Sequence, residues 1–153
     1  MSQSFPYTTK GVAAMELAIR NYTGYYVWFS VAAGNQTYFA TNRSPARMAS
    51  PSYQYADEMY FLYCISSYGS GYKFSLIFPN SSVGSNYGSA IDYASAGEGI
   101  YTTAMGDTCR YISGTSFAAP CAAAMLLLND GAIKNKGNIT GDVDGKADKI
   151  AGL

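Results

Sequence analysis

The chain has 153 residues, 48% of them apolar, enough for one domain with a sizeable core. Charged residues make up only 13%, about half the usual ~25%, and the formal net charge is zero. A neutral, charge-poor chain argues against nucleic acid, which calls for a basic surface, and against an anionic membrane surface. No apolar run reaches the ~18 residues of a membrane span. Histidine is absent. Since histidine is the side chain that titrates near neutrality, the usual general base for a serine or cysteine nucleophile is missing, and so is a histidine-ligated zinc site. The three cysteines, Cys64, Cys109 and Cys121, form neither a disulfide framework nor a CxxC metal pair. No basic-then-apolar leader is visible, and the opening Met1 reads as an arbitrary start.

Residues 10–22 predict an amphipathic helix, with Val12, Met15, Ile19 and Tyr22 at helical spacing and Gly24 behind them as a stop. Residues 25–33 are almost continuously apolar and predict a strand buried on both faces, as in a parallel sheet. Residues 36–54 are polar, contain Pro45 and Pro51, and predict loop. Residues 59–66 predict a second buried strand. Residues 72–78 alternate weakly, as a strand or sheet edge would, and 79–89 predict loop. A short third strand is predicted over 90–94. Extended pieces at 100–103 and 110–112 flank a turn at Gly106-Asp107. Residues 116–129 are so apolar that a wholly buried helix is expected. Pro120 falls near its start, where a lost amide costs little. Charges then crowd into 130–149. Two segments are therefore expected: 1–130, and a polar 131–153 tail of the same domain or the start of a linker. The fold class expected is α/β, a mostly parallel sheet flanked by helices, with few enough strands to suggest an incomplete domain.

The stretch Ile112-Ser-Gly-Thr-Ser116-Phe-Ala-Ala-Pro-Cys121 places a serine where an extended segment becomes a helix. Unpaired amides and the positive end of the helix dipole favour an oxyanion there, and the hydroxyl suits a nucleophile. Taken alone, Ser116 or Thr115 would be a simple helix cap. The string Gly-Thr-Ser-x-Ala-x-Pro entering an alanine-rich helix, however, resembles the nucleophile motif of the subtilisin-like serine peptidases, or subtilases. Val31-Ala-Ala-Gly-Asn35, after a helix and a strand, resembles a second subtilase segment.

The resemblance implies that Ser116 is the nucleophile and that Asn35 donates to the oxyanion. It implies a substrate-binding wall at Ala32, Ala33 and Gly34, joined by Gly114 and Thr115. Residues 90–103 resemble the stretch that precedes the nucleophile in the family, with Ala96 where proline is usual and Asp92 structural. Pro51 resembles a family proline that is often cis, and 141–148 resembles a polar segment after the nucleophile helix. Cys121 stands where the family commonly has a structural histidine and is expected to be a packed thiol.

Subtilases place an aspartate and a histidine before these segments, so this chain resembles the C-terminal half of the catalytic domain. The expected partners are a polypeptide substrate and the missing N-terminal half. A secreted, extracellular location is implied by the family. No cofactor is required. Calcium is possible as a structural ion at Asp142, Asp144 and Asp148, which are spaced one, three and seven, although a solvated acidic turn reads better. Glu16, Asp57, Glu58, Glu98 and Asp107 are the carboxylates available as a substitute base, and none is marked as a partner of Ser116. The alternative function is a non-catalytic subtilase-like binding or scaffold module.

Overall fold

The computed structural model describes residues 12–75 and 83–153. Helix α1, Ala13–Thr23, matches the expected amphipathic segment, whose first residues lie outside the described ones. Its apolar side, Met15 and Ile19, faces a core built with Val31, Met48, Met59, Leu62 and Cys64.

Strand β1, Phe29–Ala32, is shorter than the 25–33 expected. Tyr25 and Tyr26 are 77% and 75% exposed rather than buried. The chain has to reverse between helix and strand. It does so through turn bonds from Tyr25 N–H to the Tyr22 carbonyl and from Tyr26 N–H to the Thr23 carbonyl, with Tyr26 at positive φ. The aromatic rings here stack on one another at the surface, Tyr26 and Trp28 both edge-on to Phe61.

The expected loop at 36–54 is folded. Short 3-10 turns at Ala40–Asn42 and Ala46–Ala49 bury Ala40, Ala46 and Met48. The cis peptide among the described residues is Ser44-Pro45, not the bond before Pro51. A charge the periodicity did not single out anchors this segment. Glu16, buried on α1, accepts from Arg47 Nε at 2.6 Å, from Arg47 Nη2 at 2.7 Å and from the Tyr53 hydroxyl at 3.1 Å.

Strand β2, Leu62–Tyr68, runs parallel to β1, and β3, Tyr93–Ala96, runs parallel to β2. Of the edge expected at 72–78, residues 76–78 lie outside the described ones, as do 79–82 of the expected loop. Phe74 makes an isolated antiparallel bridge to Tyr68. The third strand begins three residues later than expected. Asp92 is occupied before it: its carboxylate accepts from Cys64 N–H at 2.8 Å. Strands β4, Ile100–Ala104, and β5, Thr108–Ile112, form the antiparallel hairpin expected around Gly106-Asp107.

Helix α2, Thr115–Leu128, buries one face only. Ala118, Ala119, Ala122 and Leu126 pack with Ile65 of β2, whereas Leu127 and Leu128 are 82% and 72% exposed. A single sheet can cover only one stripe of a helix, so a uniformly apolar helix is left half uncovered. Because α2 starts at Thr115, Pro120 lies beyond the first turn, and its ring replaces the N–H that would have met the Ser116 carbonyl.

The polar C-terminal segment contains β6, Lys134–Asn138, and β7, Lys149–Gly152. Strand β7 joins β3 in parallel and β6 pairs with β7 antiparallel, giving the order β1-β2-β3-β7-β6. The fold is thus α/β with a mostly parallel sheet. In β2, Leu62 and Cys64 face the α1 side and Ile65 faces α2, the alternation that places the helices on opposite faces. Among the described residues no helix is long and apolar enough to cross a membrane.

Candidate active site

Parallel sheets gather the loops that leave the C-terminal ends of their strands along one edge, and ligands bind there. In this sheet that edge is built from three exits. Strand β1 leads into Ala33-Gly34-Asn35, with Ala33 N–H bonded to the Ile65 carbonyl. Strand β2 ends at Tyr68, whose carbonyl accepts from Gly97 N–H, just after β3. Gly97 in turn offers its carbonyl to Gly114 N–H, which ties the start of α2 to the same edge. Two sequence motifs far apart in the chain therefore meet.

The contact between them is made by Thr115, which is wholly buried. Its N–H and its hydroxyl both donate to Asn35 Oδ1, each at 2.9 Å, and its Oγ1 accepts from Gly34 N–H at 3.1 Å. A backbone N–H can only donate, so the atom facing it must be the amide oxygen. The Asn35 NH₂ is thereby turned away from Thr115 as a pair of neutral donors. Ser116 follows directly, as the second residue of α2, and is partly exposed. Among the described residues its hydroxyl has no hydrogen-bond partner.

The structure treats the expected substrate-binding residues differently. Ala32 and Gly34 are partly exposed, whereas Ala33, Gly114 and Thr115 are buried. Thr115 has no surface to offer a ligand, and its polar groups are engaged by Gly34 and Asn35. Gly34 has φ of +103°, and a Cβ there would lie 2.5 Å from Asn86 Nδ2, so only glycine fits. Asn86, which the sequence reading did not mark, braces this loop.

The carboxylates with strongly raised pKa values lie elsewhere. Burial pushes Asp92 up to about 6, against partial relief from Cys64 N–H and the Lys149 charge. Burial pushes Asp148 up to about 7, the Ser66 hydrogen bond opposes this, and Asp142, Asp144 and Asp92 add to it. Both residues immediately precede parallel strands, β3 and β7, so they sit at the opposite end of the sheet from Asn35 and Ser116. A strand rises ~3.3 Å per residue, which puts roughly 10 Å of sheet between the two ends. A cavity of about 380 Å³ lies at that far end, lined by Tyr63, Asp92, Tyr93, Asp144, Asp148 and Lys149 among others. Ser116 is not among its lining residues.

The acidic turn divides its carboxylates. Asp148 turns into the sheet and accepts from Ser66 Oγ at 2.5 Å, while Asp144 Oδ1 accepts from Lys146 N–H at 2.8 Å. Among the described residues no group of three or more acidic or cysteine side chains is placed to hold a metal ion. Cys64, Cys109 and Cys121 are all free thiols.

Comparison with known proteins shows the family. The sequence pattern of the Subtilase family matches residues 3–140. Thermitase of Thermoactinomyces vulgaris is 40% identical over 75 residues, which are 48% of this chain and 26% of thermitase. A cold adapted subtilisin-like serine proteinase superposes with a TM-score of 0.69 at 27% identity, over 92% of this chain and 50% of that one. A protease from Pseudoalteromonas arctica shares the fold, with a TM-score of 0.59 at 22% identity, over 80% of this chain and 37% of that one. The chain spans half or less of the length of each of these relatives. With its matched pattern covering nearly all of its residues, the chain belongs to the subtilase family.

Proposed function

We propose that this chain is the nucleophile-bearing part of a subtilisin-like serine endopeptidase, which cleaves polypeptides through an acyl-enzyme. Ser116 is the nucleophile. The Asn35 NH₂ and the Ser116 N–H are the donors to the oxyanion, and the backbone of residues 32–34 forms one wall of the substrate site. The observation that carries this reading is the fixed amide. Thr115 holds Asn35 Oδ1, so the donors of Asn35 are set before any substrate arrives. Donors that need no reorganisation during reaction are what stabilises a developing oxyanion.

The chain has no histidine. The base and its orienting acid therefore come from a separate stretch of polypeptide, the N-terminal half of the catalytic domain. The uncovered face of α2 supports this, with Pro120, Ala123, Ala124, Leu127 and Leu128 all exposed. The outer edge of β1, which among the described residues pairs only with β2, supports it as well. Alone, the chain is inert toward peptides. The reaction requires no cofactor, and the family points to a secreted protein.

A fluorophosphonate tests the reading. Mass spectrometry of the labelled protein is expected to find the adduct on Ser116 only after the N-terminal half, encoded upstream of Met1, is added or fused. An upstream frame that lacks both an aspartate and a histidine segment would overturn it. So would the absence of labelling in a folded assembly. The missing histidine also favours a second reading, a non-catalytic scaffold module, and that second result would support it.

A further inference from the structure

The oxyanion reading explains why Asn35 is needed but not what holds its backbone. Strand β1 ends at Ala32, and after Ala33 N–H meets the Ile65 carbonyl the sheet provides no further pairing on that side among the described residues. Backbone polar groups shut away from water need other partners. Asn86, wholly buried, supplies them. Its Oδ1 accepts from Gln36 N–H at 3.0 Å and from Tyr38 N–H at 3.1 Å. Its Nδ2 donates to the Ala33 carbonyl at 2.8 Å and to Gln36 Oε1 at 3.3 Å. Its own N–H donates to the Gly34 carbonyl at 2.8 Å. These partners bracket Asn35 on both sides. The neighbouring backbone extends the brace, with Thr37 N–H on the Gly84 carbonyl and Tyr87 N–H on the Tyr38 carbonyl.

We propose that Asn86 is the positioning residue of the Asn35 loop: it fixes the backbone on either side of Asn35, while Thr115 fixes the side chain. The consequence for catalysis rests on the oxyanion reading above, but the positioning does not. Asn86 touches no reacting atom. It acts because one amide group both donates and accepts, as a segment that bends out of a sheet requires. The bend is real: Gly34 and Thr37 both have positive φ, at 103° and 50°. Such backbone relaxes when its partners are removed. Once it has moved, the two bonds from Thr115 would have to hold Asn35 alone. Displacements near 1 Å are enough to cost a reaction about 10²-fold. Gly34 and Asn86 are also matched in size, since Asn86 Nδ2 occupies the space that a side chain at 34 would need.

The test uses the chain as it stands and is read by NMR and amide exchange. In Asn86→Ala, the Asn35 side-chain NH₂ resonances are expected to move. The Thr115 amide should exchange at least roughly tenfold faster, with the amides of Ile65 and Ala94 in the sheet still protected. Unmoved Asn35 signals and unchanged Thr115 exchange in a folded Asn86→Ala would overturn the proposal. Should that variant lose its sheet protection as well, Asn86→Asp decides. Protonated aspartic acid both donates and accepts like the amide, whereas the carboxylate only accepts. Wild-type Asn35 signals at low pH that shift as this carboxyl ionises, with the sheet intact, support the proposal. Sheet protection lost together with those signals would make Asn86 a general core residue and overturn it. None of these signals depends on Ser116 reacting, so a chain that never takes the fluorophosphonate can still pass, and one that takes it can still fail.

Discussion

Asn35 Oδ1 accepts two hydrogen bonds, each 2.9 Å long, from the N–H and the hydroxyl of Thr115, which lies 80 residues further along the chain. The two belong to different motifs, one at the exit of β1 and one at the entry of α2. Their contact ties two short sequence patterns together at the residue that precedes Ser116. It also makes Thr115 a residue whose removal can be measured in stability.

Thr115→Val keeps the shape and removes the hydroxyl. Gly34 N–H loses its acceptor and Asn35 Oδ1 loses one donor, both in a partly buried setting. A destabilisation of about 1–3 kcal/mol is expected in urea unfolding, and Thr115→Ser should recover most of it. A fully stable Thr115→Val would mean that this contact is not formed in solution.

Ser116 is partly exposed, so Ser116→Ala should leave stability within about 0.5 kcal/mol of the parent chain. In an assembly completed by the N-terminal half, the same change should abolish fluorophosphonate labelling. Asn35→Ala should keep Ser116 in place and lower kcat about 10²–10³-fold with little change in KM, the range found for such a donor in a subtilisin.

Stability should fall as pH rises from about 4 to 7. Asp92 and Asp148 have folded pKa values raised from 3.8 to about 6 and about 7, mainly by burial. Through that window the native state retains protons that the unfolded chain gives up, so the advantage present at low pH is lost as each group's folded pKa is passed. Asp148→Asn can still accept from Ser66 and carries no charge. It should flatten the pH dependence and raise stability at pH 8 by about 1–3 kcal/mol. Thermal unfolding of both proteins across pH 4–8 checks this, and parallel curves would refute it.

Glu16 runs the other way. Burial raises its pKa, but the hydrogen bonds from Arg47 and Tyr53 and the Arg47 charge oppose this, and it is left lowered. Its contribution is present above the ordinary carboxylate range and lost as pH falls through the lowered value. The same setting pushes Tyr53 up to about 12, burial first and the Glu16 charge second. Glu16→Gln should cost about 1–3 kcal/mol at pH 7, less than a fully enclosed pair because Arg47 keeps some solvent contact. The loss should shrink toward pH 3, which urea titrations at the two pH values would reveal.

The exposed stripe on α2 should make the isolated chain self-associate and bind a hydrophobic dye. Replacing both Leu127 and Leu128 with Lys should lower dye fluorescence and give a smaller sedimenting species. It should also weaken association with an added N-terminal half. A double variant that pairs with that half as well as the parent does would remove α2 from the interface.

Several elements were legible because their signals are local. Helix α1 follows from the spacing of Met15 and Ile19, and the β4–β5 hairpin follows from Gly106-Asp107. Other elements depend on partners remote in sequence. Lys134-Asn-Lys-Gly-Asn138 shows no alternation, is exposed throughout, and is a strand because β7 pairs with it. The start of β3 is displaced because Asp92 accepts from Cys64. The aromatic run at 25–28 reads as buried strand by composition, yet the reversal after α1 holds it at the surface.

The sequence by itself determined the family and the α/β class and singled out Ser116 and Asn35 as candidates, because those readings depend on strings of adjacent residues. It also showed that no histidine serves Ser116 from within this chain. Tertiary structure alone decided which way the Asn35 amide faces, that Asn86 braces its loop, and that the acidic groups with raised pKa values lie at the far end of the sheet. Hydrogen bonds and burial act between residues that folding brings together, and one-dimensional spacing carries no record of them.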